Sequence, residues 1–315
     1  MRSRARALTL LGGLLVLALV PLVAALTDQP FYLDLVRRMM IFAIAAVSLD
    51  LILGFGGMVS FGHAAYLGIG AYAVAIPAFY GIESGLVQWA LALTLSGLVA
   101  LAIGAVSLRT SGVSFIMITL AFAQMLYYLG ISINAWGADD GMRLARRSQF
   151  GGVVNLANGY VFYYVVLGLL VVLLGLGHRL VHARFGVVIR AAKSNEPRMR
   201  AIGFSTFRYK LTAFAIAGAV GGLAGALLTN QTEYLTPSYM HWTRSGEIMV
   251  MVILGGMGTL YGPVLGAFAL LLLEDVLSAW TVHWQVVLGP ILVLVVLYAK
   301  GGLWSLLPAG ARRDG

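Results

Sequence analysis

Residues 86–108 read LVQWALALTLSGLVALAIGAVSL and contain no charged side chain. A run of about 20 apolar residues is long enough to cross the hydrocarbon core of a bilayer as an α-helix. Runs of similar length recur along the whole chain, which is 60% hydrophobic and only 10% charged. The surface of a soluble globular domain would need many more charged residues. The sequence therefore predicts an all-α, polytopic transmembrane helix bundle.

Polar or glycine-rich breaks divide the apolar sequence into about ten predicted spans, which form a single transmembrane domain over residues 1–315. The eighth span is short and contains glycine, so we expect a broken or re-entrant helix there. The ten spans are predicted at Ala7–Leu26, Met39–Phe55, Ser60–Tyr80, Leu86–Leu108, Ser111–Ile131, Tyr160–Leu180, Leu211–Thr229, Gly246–Leu260, Pro263–Trp280 and Trp284–Ala299.

The basic residues indicate the orientation of the bundle, because Lys and Arg are enriched in cytoplasmic loops. With ten spans and both termini in the cytoplasm, fifteen basic residues lie inside and six lie outside. Those inside are Arg2, Arg4, Arg6, Arg109, Arg179, Arg184, Arg190, Lys193, Arg198, Arg200, Arg208, Lys210, Lys300, Arg312 and Arg313. Those outside are Arg37, Arg38, Arg143, Arg146, Arg147 and Arg244. The predicted location is a bacterial inner membrane.

The first residues, up to Arg6, are basic and precede an apolar run that ends at Leu26. We interpret this run as an uncleaved first span, because many further spans follow and a basic start suits a cytoplasmic N-terminus. Residues 23–25, Val-Ala-Ala, faintly resemble a signal-peptidase site. A cleaved signal peptide is therefore the alternative.

Several other classes of protein are disfavoured by composition. The formal net charge of +9 could suggest a nucleic-acid partner, but the arginines lie in short loops between apolar runs, as membrane orientation requires. Cysteine is absent, so disulfides, a thiol nucleophile and thiolate metal sites are excluded. No spacing of His, Asp or Glu indicates a metal site, and no nucleophile lies in a recognisable catalytic motif. The sequence therefore predicts a protein that is not an enzyme.

Residues 184–210 form a basic connection, predicted to be cytoplasmic, that contains too many aliphatic residues for an unstructured linker. Asn195 can cap a helix that begins at Glu196, with Pro197 in its first turn, and Gly203 can end it. We expect a short helix that exposes Met199 and Ile202 as apolar contacts for a partner protein. The alternative is an ordinary basic loop that only satisfies the positive-inside rule. A second polar connection, residues 134–158, is predicted to fold over the external mouth of the bundle.

Three stretches together resemble the permease subunits of high-affinity branched-chain amino-acid ABC importers, within the ribose and branched-chain amino-acid permease superfamily. The first is LILGFGGMVSFGHAAYLGIGAY, residues 51–72. The second starts at Phe185, includes residues 190–192 and 201–203, and ends with KLTAFAIAGAVGGLAGA, residues 210–226. The third is LGGMGTLYGPVLGA, residues 254–267. Members of this family often carry Gln where this chain has Met58.

The resemblance implies a non-catalytic subunit that imports a small solute by alternating access between outward-open and inward-open states. The implied partners are a second related permease, two cytoplasmic ATPases that hold ATP and Mg, and a periplasmic solute-binding protein. The chain itself has no phosphate-binding loop of the type G-x-x-x-x-G-K-[ST]. Residues 196–203 would be the coupling helix that docks on an ATPase, and the coupling residues carried over are Arg190, Asn195, Glu196, Arg198, Met199, Ala201, Ile202 and Gly203.

Two glycine clusters, residues 54–57 and 255–258, are expected to unwind helices and expose backbone groups that could bind the polar ends of a solute. The other interpretation is a tight turn between spans. His63 could contact a solute or could be a structural histidine. The candidate pathway residues are Gly56, Gly57, Met58, Ser60, His63, Gly255 and Gly256.

Pairs of glycines spaced four residues apart put small residues on one helical face. The pairs are Gly218 and Gly222, Gly221 and Gly225, Gly258 and Gly262, and Gly262 and Gly266. We interpret them as positions of close helix packing. Ionisable residues at membrane depth are costly and therefore candidates for function, although each could equally pack against a polar partner. They are Asp50, His63, Glu247, Glu274 and Asp275.

Two other functions compete with the import permease. An ion-coupled secondary transporter would need charged pairs in broken helices, for which Asp50, Glu274 and Asp275 are the candidates. An intramembrane enzyme would need a His and carboxylate cluster, whereas the five histidines are scattered along the chain. Leucine, isoleucine and valine are the expected solutes, and urea, short amides and aromatic acids are the alternatives within the same architecture.

Overall fold

A computed structural model describes residues 2–27, 29–151, 155–298 and 301–306 as a helix bundle with one short antiparallel strand pair. The helices are α1 (Arg2–Thr27), α2 (Pro30–Asp50), α3 (His63–Phe79), α4 (Gly85–Ser107), α5 (Val113–Ser132), α6 (Gly159–His182), α7 (Arg184–Ser194), α8 (Glu196–Ala201), α9 (Thr206–Thr232), α10 (Trp242–Gly255), α11 (Gly262–Trp280), α12 (Trp284–Tyr298) and α13 (Leu303–Leu306). The strands are β1 (Met142–Arg143) and β2 (Tyr234–Leu235). A π-helical turn, Leu51–Phe55, extends α2, and 3-10 turns lie at Asn134–Trp136 and Pro237–Met240.

Among the described residues, six helical segments are long and apolar enough to cross a membrane, and three shorter apolar helices accompany them. The six are Pro30–Phe55, Gly85–Ser107, Val113–Ser132, Gly159–His182, Thr206–Thr232 and Gly262–Trp280. The shorter ones are Gly12–Leu26, His63–Phe79 and Trp284–Val295. The fold thus agrees with an all-α membrane bundle, whereas the number of ten spans and the cytoplasmic termini stay predictions. Ala299, Lys300, Arg312 and Arg313, which entered those predictions, lie outside the described residues.

Helix α2 lies at the centre of the bundle. In the most apolar 18-residue stretch of Pro30–Phe55, 89% is buried inside the bundle, whereas the corresponding share in α5 is 22%. Helices α6, α9, α10 and α11 all pack against α2. The central helix is therefore surrounded by protein, and α5 presents most of its surface to whatever surrounds the chain.

The second helix begins at Pro30 and includes Arg37 and Arg38, which the sequence analysis assigned to a loop before a span at Met39–Phe55. That assignment was wrong. The Arg37 guanidinium is buried, pairs with Asp34, and donates a hydrogen bond of 3.3 Å to the Gly159 carbonyl oxygen. A buried charge is tolerated when it is paired and hydrogen-bonded, so these partners allow the helix to continue through Arg37.

Two further predicted boundaries differ from the structure. The third helix begins at His63 rather than Ser60, because residues 56–62 form the turn that follows α2. The eighth span was predicted at Gly246–Leu260, but α10 begins at Trp242 and ends at Gly255. Gly256 has φ 119°, which an α-helix does not allow, so the helix ends where the glycine cluster starts.

Small residues permit close packing of α9 against α3 and α4. A methyl group added at Gly225 would overlap the backbone of Leu67 in α3, and one at Gly222 would overlap Ser96 in α4. The predicted packing role of the glycines spaced four apart in α9 is therefore confirmed. Close backbone approach of this kind is typical of membrane helices.

Two polar connections lie at opposite ends of the bundle, because α6 begins at one and ends at the other. The α5–α6 connection is residues 133–158, of which 152–154 are not described, and it contains β1. The α6–α9 connection is residues 183–205 and contains α7 and α8. Helix α2 runs towards the α6–α9 connection, where its π-helical turn contacts α7.

Candidate functional site

The α6–α9 connection folds as two short helices, as the sequence predicted for its second half. The side chain of Asn195 accepts a hydrogen bond of 3.0 Å from the backbone N–H of Arg198 and so caps α8. Pro197 lies in the first turn, where its missing N–H costs nothing. Gly203 has φ 90° and ends the helix in the left-handed region. The predicted start and end of this helix are confirmed, and its last helical residue is Ala201.

Glu196 joins α8 to the start of α9. Its carboxylate accepts hydrogen bonds from Lys210 at 2.5 Å, Arg200 at 2.6 Å and Thr206 at 2.9 Å. Partial burial raises the pKa of Glu196, but these three hydrogen bonds outweigh it and lower the pKa from 4.5 to about 2. The residue is therefore ionised at neutral pH and holds α8 and α9 together as one unit.

Met199 in α8 and Ile202 just after it differ in exposure. Met199 is only 8% exposed and packs with Val188 and Ala192 of α7, whereas Ile202 is 62% exposed. The expectation that Met199 faces a partner protein was wrong, because the residue instead fills the contact between the two short helices. Ile202 has the exposed position that was expected for both.

Four large apolar side chains are exposed on the α6–α9 connection and the first turn of α9. Isolated exposed apolar residues are normal, but several on one short polar connection and the adjoining first turn of a span indicate a surface that contacts another protein. We call them the exposed apolar set, and they are Val187, Ile202, Phe204 and Phe207.

The two predicted arginines of the connection have different surroundings. Arg190 donates to the carbonyl oxygens of Gly186 at 3.3 Å and Val181 at 3.2 Å, and it therefore ties α7 to the last turn of α6. Arg198 is exposed, and its side chain makes no hydrogen bond or ion pair within the described part of the chain. Arg190 is thus a structural support, whereas Arg198 is available to a partner.

The two predicted glycine breaks meet at one point in the structure. The backbone N–H of Gly258 donates a hydrogen bond of 2.8 Å to the carboxyl group of Asp50, across 208 residues of sequence. A methyl group at Gly54 would overlap both of these atoms. The ammonium of Lys193 donates to the Gly54 carbonyl oxygen at 2.6 Å. The end of α2, the α10–α11 turn and α7 therefore converge at Gly54.

The predicted pathway residues next to these breaks are mostly inside the fold. Gly57 has φ 70° and is exposed, whereas Gly56 and Met58 are buried beside it. Gly255 and Gly256 are buried as well: a methyl group at Gly255 would overlap the Gly262 backbone. Gly57 is thus the exposed member of the predicted glycine set.

Ser60 and His63 are fully buried at the start of α3. The Ser60 hydroxyl accepts a hydrogen bond of 3.2 Å from the N–H of Gly62, and His63 Nε2 is 2.7 Å from the hydroxyl of Ser48. Ser245 in α10 accepts from the N–H of Ala64 at 2.9 Å. These contacts hold α3 against α2 and α10. They give both predicted pathway residues a partner within the chain.

The other ionisable residues at predicted membrane depth have neighbours of opposite charge or lie at the surface. Glu247 forms an ion pair with Arg244 at 2.7 Å, and Glu274 lies 3.9 Å from Arg38. Asp275 makes no side-chain bond within the described residues.

Comparison with known proteins identifies the family. A family model described as "Branched-chain amino acid transport system / permease component" matches residues 31–297. The chain belongs to this family. It is a multi-pass membrane permease, and the resemblance inferred from the sequence is confirmed. No solved structure was found to match the chain.

Relatives of this permease include two proteins named high-affinity branched-chain amino acid transport system permease protein LivM. The protein of Salmonella typhimurium is 29% identical over 297 residues, which are 86% of this chain and 69% of that protein. The protein of Escherichia coli K12 is 28% identical over 319 residues, with shares of 91% and 74%. The LivH permease protein of the same strain is 26% identical over 289 residues, with shares of 83% and 90%.

Sequence reasoning missed the role of Lys193 in this permease. From the sequence, Lys193 was predicted only to be one of the basic residues on the cytoplasmic side. Its contact with Gly54 joins positions 139 residues apart, and no local sequence pattern predicts that contact. The signal that was available is indirect: a cluster of glycines that ends a helix leaves carbonyl groups in need of donors.

An apolar cavity of about 280 Å³ lies between α3, α4 and α5, at the end of the permease that carries the α5–α6 connection. Aliphatic and aromatic side chains line it, among them Ile69, Ile76, Leu126, Trp136 and Met240. A cavity of this lining accepts apolar groups rather than charges.

Proposed function

We propose that this permease is the membrane-spanning subunit of an ATP-driven importer that moves a branched-chain amino acid across a bacterial inner membrane by alternating access. One observation carries the proposal: the α6–α9 connection is folded and anchored to the bundle, yet it keeps the exposed apolar set and Arg198 on its surface. A folded segment with unpaired apolar and charged groups is typical of a docking surface.

The proposed partner at this surface is a cytoplasmic ATPase that holds ATP and Mg. Glu196 joins α8 to α9, and α9 packs against α2, α3 and α4. A displacement of α8 by the ATPase would therefore reach the centre of the bundle. This chain of contacts is how the proposed importer would convert ATPase closure into a change of access. The proposal requires the coupling residues to lie on the cytoplasmic side.

Two further partners belong to the proposal. The chain is similar to both LivM and LivH, two different permease proteins of one named transport system in Escherichia coli K12. This supports a pair of related permeases. A periplasmic binding protein would deliver the solute at the α5–α6 connection, and the apolar cavity near that end suits an aliphatic side chain. Urea, short amides and aromatic acids are the alternative solutes.

Uptake into proteoliposomes that contain the purified complex tests this function. We expect accumulation of radiolabelled leucine that requires ATP, Mg and binding protein, and that unlabelled isoleucine and valine suppress more strongly than urea, an amide or phenylalanine. An ion gradient without ATP should drive no uptake. Uptake driven by a proton or sodium gradient alone would contradict the proposal and favour an ion-coupled transporter.

A further inference from the structure

Lys193 connects the α6–α9 connection to the central helix. It lies in the last turn of α7, and its ammonium donates a hydrogen bond of 2.6 Å to the Gly54 carbonyl oxygen. Its aliphatic stem covers Gly57: a methyl group at Gly57 would lie 2.8 Å from Cγ of Lys193. Lysine side chains commonly cover apolar surface with the stem while the ammonium reaches a polar group.

The carbonyl of Gly54 needs this donor because the regular helix ends there. In an α-helix the N–H of Met58 would donate to the Gly54 carbonyl oxygen, but it donates to the Ile52 carbonyl oxygen at 2.9 Å. The last carbonyls of a helix lack partners within the helix and are stabilised by cations. Lys193 supplies the cation at the end of α2.

Gly54 is also the place where α2 touches the α10–α11 turn. Asp50, one helical turn earlier, is 1% exposed and accepts the hydrogen bond from the N–H of Gly258. The absence of a side chain at Gly54 makes room for that bond. A shift of Lys193 therefore acts on the contact between the two glycine breaks.

We propose that Lys193 is a positioning residue that holds the two glycine breaks together and releases them when α7 moves. This rests on the proposed function, in which a partner ATPase moves the α6–α9 connection. In this arrangement α8 receives the displacement, α7 moves with it through the contact of Met199 with Val188 and Ala192, and Lys193 transfers it to Gly54. The two glycine breaks then separate at one end of the bundle, while α3, α4 and α9 stay packed against one another.

Thiol labelling of the purified complex tests the link without measuring transport. The chain has no cysteine, so Leu254→Cys provides a single reporter in the last turn of α10, directly before the second glycine break, at a position that is 5% exposed and therefore reacts slowly while the breaks stay together. Lys193→Met in this background should raise the rate of reaction with a water-soluble maleimide roughly tenfold, as expected for loss of a charged hydrogen bond. Lys193→Arg, which keeps a donor, should restore the slow rate.

Arg184→Met is the matched control, because Arg184 is an exposed cation on the same helix, and its side chain makes no hydrogen bond or ion pair within the described residues. It should leave the labelling rate unchanged. Equal labelling of Lys193→Met and the parent protein would overturn the link.

Uptake then tests whether the link serves coupling. The Lys193→Met complex should keep its ATPase subunits and hydrolyse ATP, but it should lose most leucine uptake. Uptake at the parent rate would overturn the coupling role. If no ATPase binds the unmodified chain, the proposed function fails, and the labelling comparison still decides whether Lys193 holds the breaks together.

Discussion

The α5–α6 connection and the α6–α9 connection differ in where their polar groups find partners. In the first, Arg147 pairs with Glu233 at 2.9 Å and donates to the Leu156 carbonyl oxygen, and the N–H of Ser148 donates to buried Asn230 at 2.7 Å. Strand β1 is paired with β2 as well. These contacts hold the α5–α6 connection against its own bundle.

The α6–α9 connection is also held to the bundle, but it exposes large apolar side chains. Residues 184–210 contain seven basic residues and one acidic residue, Glu196. Glu196 bonds to Lys210 and Arg200, and Lys193 bonds to Gly54. Arg198 and the exposed apolar set face outwards. The comparison teaches that the described part of the α5–α6 connection exposes no large apolar side chain, whereas the α6–α9 connection and the start of α9 hold the exposed apolar set in a fixed shape for contact with another protein.

The largest expected effect comes from placing a charge in the exposed apolar set. Ile202→Glu should lower the amount of ATPase recovered with the permease more than about tenfold, because a carboxylate at the centre of an apolar contact is poorly tolerated. The measurement is quantitative mass spectrometry of the purified complex. Val282→Glu is the control, because Val282 is 90% exposed at the opposite end of the bundle. An equal loss in both variants would remove the distinction between the two ends.

A second variant tests the contacts that hold the α5–α6 connection to the bundle. Asn230→Leu leaves the N–H of Ser148 without its acceptor, and a buried unsatisfied donor costs about 1–3 kcal/mol. We expect a lower thermal midpoint for the purified permease and unchanged recovery of ATPase per folded molecule. Loss of ATPase without loss of stability would mean that this connection also serves docking.

Two asparagine caps offer a matched pair. Asn195 caps α8 in one connection, and Asn158 caps α6 at the end of the other by accepting from the N–H of Tyr160 at 2.9 Å. Replacing either by alanine costs about 1 kcal/mol. Leucine uptake should fall several-fold in Asn195→Ala and stay near the parent rate in Asn158→Ala. Similar uptake in the two variants would show that the shape of α8 is unimportant.

The smallest effect is a pH dependence confined to the α6–α9 connection. The pKa of Glu196 is about 2 in the folded protein and 4.5 ordinarily, so its stabilisation is complete above about pH 4.5 and is lost as the pH falls towards 2. The protection factors of the amides in residues 196–210, which are corrected for the intrinsic pH dependence of exchange, should therefore decrease as the pH falls through that window. In Glu196→Gln these protection factors should be lower at neutral pH and should change little over the same window. A window at neutral pH would contradict the assigned contacts.

Local signals explain what the sequence could predict. Asn195, Pro197 and Gly203 each act within one turn, so the bounds of α8 were readable from the chain. The glycine breaks could also be predicted, because a glycine cluster acts on the backbone within the same turn. The side of α8 that Met199 occupies was not, because a helix of six residues is too short for its periodicity to define a face.

Contacts between distant segments explain the rest. Arg37 stays within α2 because Gly159 supplies an acceptor 122 residues away. Asp50 was a candidate for the pathway or for a packing partner, and its bond to Gly258 depends on how α10 and α11 pack against α2. Lys193 depends on the same packing. Such pairs are set by tertiary structure, which a single sequence does not display.

Site-specific photo-crosslinking tests the central claim most directly. A photoreactive amino acid is placed at position 202 or at position 199 of the full chain in cells, and the crosslinked products are identified by mass spectrometry. We expect position 202 to crosslink to a protein with a phosphate-binding loop, and position 199 to crosslink within its own chain to α7. A complex that transports leucine while position 202 crosslinks to no ATPase would contradict the account.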